Sequence, residues 1–273
     1  MKNILKYLLS LYCFLGMSCT KVVQVDLDTA APKLVIDASI DWLKGTTGSE
    51  QKIKLSTTTG YYSPTFPTVS GADIVITNSE NTVFRFTENP GTGEYICTNF
   101  HPVIGETYAL KVTLNGETYT ATETCLAVPD IENNITQDNN GGFGGKEVEI
   151  SYYYQDNGDE VNYYLHRILS PVSVFPDYKA QDDEKSQGNL MQEYFSDKDL
   201  KAGDTINIRL YGISRRYYDY FRKLLVASGA QSGPFQTTPG AVRGNIINQT
   251  HFENFAYGYF RLSQVALKEY TIK

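Results

Sequence analysis

Tyr108-Ala-Leu-Lys-Val-Thr-Leu114, then Asn115-Gly116, then Glu117-Thr-Tyr-Thr-Ala-Thr122 is the stretch that decides the fold. Apolar and polar residues alternate on both sides of the Asn-Gly pair, which is the period of a half-buried strand. Asn-Gly between two such runs marks a two-residue hairpin, because a type I′ turn needs positive φ at both central positions. Working outward, the same pattern recurs. Leu34-Val-Ile-Asp-Ala-Ser-Ile40 opens the region; Ala72, Ile74 and Ile76 share one face of 72–77; and Phe84 and Phe86 share one face of 82–87. About seven short strands between 34 and 128 predict an immunoglobulin-like β-sandwich.

Residues 129–145 read as a linker, ending in Asn139-Asn-Gly-Gly-Phe-Gly-Gly145. A second β-rich domain is expected over 146–273. Glu147–Tyr154 and Val161–Ile168 form a predicted hairpin across Asp156-Asn-Gly-Asp159, and 204–211 alternates as another strand. Residues 171–203 are polar and read as a long surface excursion, and 230–250 as a second loop. One helix is expected over 214–228, with Ser214 as N-cap and Gly229 as its stop. Its spacing puts Tyr217, Phe221, Leu224, Leu225 and Ser228 on one inward face and turns Tyr218 away. Two closing strands, 257–262 and 265–272, complete a mainly β chain.

The N-terminus supplies an address. Lys2 and Lys6 precede an 11-residue apolar stretch, Tyr7–Met17. Spanning a bilayer takes about 20 residues, so 1–18 reads as a secretory leader and not a transmembrane helix. Gly16-Met17-Ser18-Cys19 resembles a bacterial lipobox, making Cys19 the expected lipid attachment site and 19–33 a lipidated tether, with a plain signal peptide and an incidental cysteine the alternative. Each buried CH₂ contributes about 0.8 kcal/mol, so several acyl chains anchor almost irreversibly. By resemblance to Gram-negative lipoproteins, in which an aspartate after the cysteine favours the inner membrane, Thr20 implies the outer membrane. No acidic cluster directly after Cys19 fixes the face, and the cell surface is favoured over the periplasmic face.

With Cys13 in the leader and Cys19 lipidated, Cys97 and Cys125 remain as a candidate disulfide in an oxidising compartment, with two buried free thiols the alternative. The bridge would close 28 residues, worth about 3–4 kcal/mol in the chain-entropy picture. The net charge of the 273-residue chain is −7, and −9 without the two leader lysines. An anionic chain with no basic run is a poor candidate for nucleic-acid binding, and no nucleic-acid partner is expected.

The order of several short motifs resembles Bacteroidota outer-membrane lipoproteins catalogued as a domain of unknown function. The motifs are Cys19 with Asp26-Leu-Asp28, Leu34-Val-Ile36, Val69-Ser-Gly-Ala-Asp-Ile74, Gly93-Glu-Tyr95, Gly105-Glu-Thr-Tyr-Ala-Leu110, Asn162-Tyr-Tyr164, Gly244-Asn-Ile246 and Tyr257-Gly-Tyr-Phe260. The resemblance implies an N-terminal sandwich with a second β-rich region. It also implies an accessory role beside a TonB-dependent receptor, and it brings no catalytic residues with it.

The residues themselves assemble no enzyme signature. His101, His166 and His251 fall in no HExxH pattern, and no GxSxG turn is present. Gly141-Gly-Phe-Gly-Gly-Lys146 fails as a phosphate loop, with Asn140 at the first glycine and Glu147 at the Ser/Thr position. Asp156-Asn-Gly-Asp-Glu160 lacks the ligand spacing of a calcium loop, and 182–184 reads as a solvated acidic face. No metal and no cofactor is expected. Fourteen of 21 tyrosines follow residue 150. Tyr152, Tyr153 and Tyr154 must alternate faces on a strand, forming either core or a surface for a glycan or peptide. The function expected is a non-catalytic, lipid-anchored accessory to a TonB-dependent transporter that assists nutrient uptake. The alternative is a structural or adhesive envelope lipoprotein binding glycan or a secretion component.

Overall fold

The computed structural model describes residues 31–60, 63–229 and 240–273, so the leader, Cys19 and part of the 230–250 loop lie outside the described residues. Seven strands fill the first region: β1 (Leu34–Leu43), β2 (Gln51–Thr57), β3 (Asp73–Asn78), β4 (Val83–Asn89), β5 (Glu94–Cys97), β6 (Thr107–Leu114) and β7 (Glu117–Thr124). The hairpin forms as its sequence demands, with Leu114 opposite Glu117 and Asn115 and Gly116 both at positive φ. Tyr108, Leu110 and Val112 of β6 join Ile36, Ile53, Ile74 and Phe86 in one apolar core. The chain is mainly β, as expected.

The second region contains β8 (Thr136–Gly141), β9 (Glu147–Gln155), β10 (Tyr163–Leu169), β11 (Asp177–Asp182), β12 (Leu190–Asp197) and β13 (Thr205–Ile213). Helix α1 (Arg215–Ala227), β14 (Ile247–Asn248) and β15 (Tyr257–Thr271) complete it. A 12-stranded curled sheet runs β11-β10-β13-β15-β1-β2-β5-β4-β3-β6-β7-β14, and a three-stranded sheet, β12-β9-β8, faces its second half. A second core, with Ile150, Tyr152, Tyr154, Ile206 and Ile208, lies between them.

Strand β15 joins the two halves. Its first residues pair in parallel with β1, from Tyr257 opposite Val35 to Val265 opposite Leu43. Its last pair antiparallel with β13, from Val265 opposite Tyr211 to Thr271 opposite Thr205. The two expected closing strands are therefore one. Phe260 and Leu262 enter the first core and Ala266 and Ile272 the second, while Tyr259 and Val265 on the other face pack under α1. Gly258 permits the junction: its φ is 98°, and a Cβ there would stand 2.0 Å from the Ile36 carbonyl oxygen.

Three further expectations change. Residues 129–145 are not a free linker. Thr136–Gly141 is an edge strand on β9, and Gly142 and Gly145 at positive φ make a tight turn; its polar composition suits an edge exposed on both sides. The predicted 147–168 hairpin is a crossover, since β9 pairs with β12 and β10 with β13. The intervening Asp156 is held inward by the Tyr164 hydroxyl at 2.5 Å and the Gly188 N–H at 2.8 Å. The 171–203 excursion holds β11 and β12, whose outward polar residues masked the alternation of Met191, Glu193 and Phe195 inward.

On α1, Ser214 caps the Tyr217 N–H at 3.2 Å, a contact of about 1 kcal/mol, and Gly229 follows at positive φ. Contrary to expectation, Tyr218 is buried and Leu224 exposed. The Tyr218 ring packs on Tyr163 and its hydroxyl donates to Asp182 at 2.6 Å, so its polar tip is satisfied where it would otherwise have turned to water.

Candidate functional site

Strand alternation places the odd-numbered residues of β1 and β15 on the face opposite the first core. Asp37, Ser39 and Asp41 of β1 lie there beside Tyr259 and Arg261 of β15, with Arg209 and Tyr211 of β13 and Arg167 of β10 further along. Helix α1 roofs this face with Tyr217, Tyr220 and Phe221. Between roof and sheet is a groove of about 480 Å³, within the range of small-molecule sites.

Arg261 is the groove's buried charge. Its side chain is 5% exposed, and its only ion pair among the described residues is Nη2 to the Asp41 carboxylate at 2.6 Å. The guanidinium lies 5.0 Å from the Tyr211 ring centroid and 5.2 Å from that of Tyr217, positions that allow cation–π attraction. Burial pulls its pKa down, but Asp41, Tyr217 and Tyr211 together outweigh this and the net direction is upward, so Arg261 is cationic. Its Nε and Nη1 have no hydrogen-bond acceptor among the described residues, and neither does Nε of Arg209, whose side chain otherwise reaches the Tyr211 hydroxyl. Arg167 and Arg209 stand directly opposite each other across β10 and β13. Neither joins an ion pair among the described residues; Arg167 Nε donates only to the Tyr178 hydroxyl at 3.3 Å. Three arginines against two aspartates make the groove locally cationic on a chain of net charge −7.

The tyrosines here are neutral. Burial pushes the Tyr220 hydroxyl up to about 12, with Asp37 adding to the effect, and burial likewise raises Tyr211, Tyr217 and Tyr259. Neutral phenols and arginines offer donors and ring faces, not proton exchange near neutrality.

The other residues singled out in the sequence lie elsewhere. His166 is fully buried, burial pushes its pKa down to about 3, and Nδ1 meets the Tyr152 hydroxyl at 2.9 Å. His251 is exposed and pairs with Glu117 at 3.0 Å, and the His101 carbonyl accepts from the Tyr108 hydroxyl. Cys97 and Cys125, the candidate disulfide, are buried and free; burial raises both thiols, that of Cys125 to about 12. Asp156 points inward while Asp159 and Glu160 are exposed. No cluster of three or more His, Cys, Asp or Glu able to hold a metal occurs among the described residues. Tyr152, Tyr154 and Tyr164 are core. The groove itself was the part the sequence reading missed. Its signal was present: Asp37, Ser39 and Asp41 alternate with Ile36, Ala38 and Ile40, and Arg261 interrupts an apolar strand.

The chain is thus a mainly β protein with a 12-stranded sheet, a second sheet of three strands, three apolar clusters and a cationic, tyrosine-lined groove beneath α1. It belongs to the family described as a domain of unknown function, DUF4249, whose pattern matches residues 20–269. No curated protein matches it. Among solved structures, it is similar to a cytokine receptor complex at 8% identity and a TM-score of 0.26, over 88% of this chain and 96% of that one. A two-domain fibronectin type-III segment of chicken tenascin gives 11% identity and a TM-score of 0.22, over 66% and 90%. The chicken CNTN1 FN1–FN3 domains give 13% and 0.24, over 68% and 62%. Such scores carry nothing about function.

Proposed function

We propose that the protein is a lipid-anchored outer-membrane accessory of Bacteroidota type that docks to a TonB-dependent transporter and assists nutrient capture without catalysing a reaction. Cys19 holds it in the membrane, and the cell-surface face is the one on which a capture role makes sense. The observation that carries the reading is the groove: its polar groups are arginines, exposed or half-buried carboxylates and tyrosines kept neutral by burial, a set that retains a ligand. The leader, the lipobox and the family membership support the address.

The test has two arms. Cys19→Ala should release the protein from the outer-membrane fraction; retention there overturns the anchor. Tagged wild-type protein from mildly solubilised outer membranes should bring one TonB-dependent barrel with it. Recovery alone, under detergents that preserve a known receptor–lipoprotein pair, overturns the docking and favours a free-standing envelope binder.

A further inference from the structure

We propose that the groove beneath α1 binds an acidic sugar, with the sugar carboxylate bridging Arg167 and Arg209 and the ring lying between the aromatic roof and β1. This rests on reading the groove as the capture site and assigns its ligand class.

The first observation is the arginine pair. Residues directly opposite on an antiparallel ladder have Cβ atoms about 4.5–5.5 Å apart, and like charges there repel. Arg167 and Arg209 occupy such positions with no carboxylate paired to either among the described residues. A carboxylate between them would relieve the repulsion and accept charge-assisted hydrogen bonds from both. The Arg209 Nε, which lacks an acceptor, is a donor for it.

The second observation is Arg261, buried with two donor nitrogens that have no partner among the described residues. Two hydrogen-bonding deficits on neighbouring strands of one face, both of cationic donors, point to an anion. The ligand must also be more than an anion. Asp37 is exposed on the same groove, Ser39 Oγ donates to it at 2.8 Å, and Asp41 is partly exposed. Carboxylates of this kind accept from hydroxyl groups and repel further carboxylates or carbonyl oxygens. Tyr178 and Tyr220, half-buried in the wall and roof, supply ring faces of the kind that pack on the C–H face of a sugar. One carboxylate, several hydroxyls and a ring face describe a uronic or similar sugar acid better than an acidic peptide or free phosphate.

The experiment is calorimetric titration of the full chain in detergent with glucuronate, galacturonate and N-acetylneuraminate. Glucose, galactose, N-acetylglucosamine, triglutamate and inorganic phosphate serve as comparisons. At least one acidic sugar should bind, at least tenfold more tightly than its neutral counterpart, and Arg209→Gln should weaken it at least tenfold. Arg209 is half-buried on the surface of the sheet, so circular dichroism and an unchanged urea midpoint will show that the variant is folded. Asp37→Asn should weaken the same ligand while leaving its charge preference intact. Failure of every acidic sugar overturns the proposal, as do equal affinity for the neutral counterparts, indifference to Arg209→Gln, or preference for triglutamate or phosphate. Binding of an acidic sugar by a protein that recovers no barrel would instead sink only the transporter docking. A copurified barrel with no sugar-acid binding would sink only the ligand assignment.

Discussion

Replacing Arg261 with methionine separates a residue kept for a ligand from one kept for stability. The wild-type side chain makes one charge-assisted bond, Nη2 to Asp41 at 2.6 Å, worth about 1.5–3 kcal/mol. Its two ring contacts, at 5.0 and 5.2 Å, are worth about 0.5–2 kcal/mol each. Against these stand the desolvation of a guanidinium 5% exposed, an effective penalty of several kcal/mol, and two donors without acceptors, about 1–3 kcal/mol each. The opposing sums are of similar size. Methionine fills most of the space with an unbranched, polarizable chain that packs well beside rings. Asp41 is 35% exposed, so the carboxylate left behind is served by water and is not stranded. The expected change is therefore small, between about 1 kcal/mol lost and 2 kcal/mol gained, as when buried ion pairs elsewhere are replaced by apolar residues. Urea unfolding reads this as a shifted midpoint at constant slope. A loss above about 3 kcal/mol would refute the reasoning, because Arg261 would then be a structural clamp whose nitrogens are satisfied in solution.

Three other outcomes follow. Gly258→Ala sets a Cβ 2.0 Å from the Ile36 carbonyl oxygen at a φ of 98°. The backbone strain alone costs about 1–3 kcal/mol, and a urea midpoint matching wild type would show that the β1–β15 junction is looser than described. Burial, reinforced by Asp156, raises the pKa of Asp183. Its stabilising protonated form is fully present below the ordinary aspartate value of 3.8 and is lost as pH rises through the higher folded value. Asp183→Asn should accordingly gain stability relative to wild type as the pH climbs from 4 to 7, and a constant difference in urea midpoint over that range contradicts the buried pair. Cys97 and Cys125, free and buried with raised thiols, should resist alkylation in native protein and both react after unfolding without reductant. Mass spectrometry showing no label in the unfolded protein would reveal a bridge.

Much of the architecture was legible because one-sided strands announce themselves. Asn115-Gly116 gave a correct register, and 36–40, 73–77 and 205–210 alternate between buried and more exposed positions. The failures came where pairing is not local. Nothing near Tyr152 says that its partner across the ladder is Glu193, and nothing in 257–272 says that one strand serves two cores. β8 and β12 were obscured by polar outward faces, which carry no periodic signal unless the inward residues are already known. The groove was hidden for a related reason. Asp37, Arg167, Arg209 and Arg261 are spread over 225 positions, and only the curled sheet places them on one face. Read singly, each is an ordinary strand charge; read as the face opposite the core, they are a site.

The most direct test of the whole account is the composition of the complex recovered with tagged protein from gently solubilised outer membranes, quantified by mass spectrometry. The account predicts acylation at Cys19 and one TonB-dependent barrel in near-stoichiometric amount. An unacylated protein recovered by itself, under conditions that keep a known receptor–lipoprotein pair together, would contradict it.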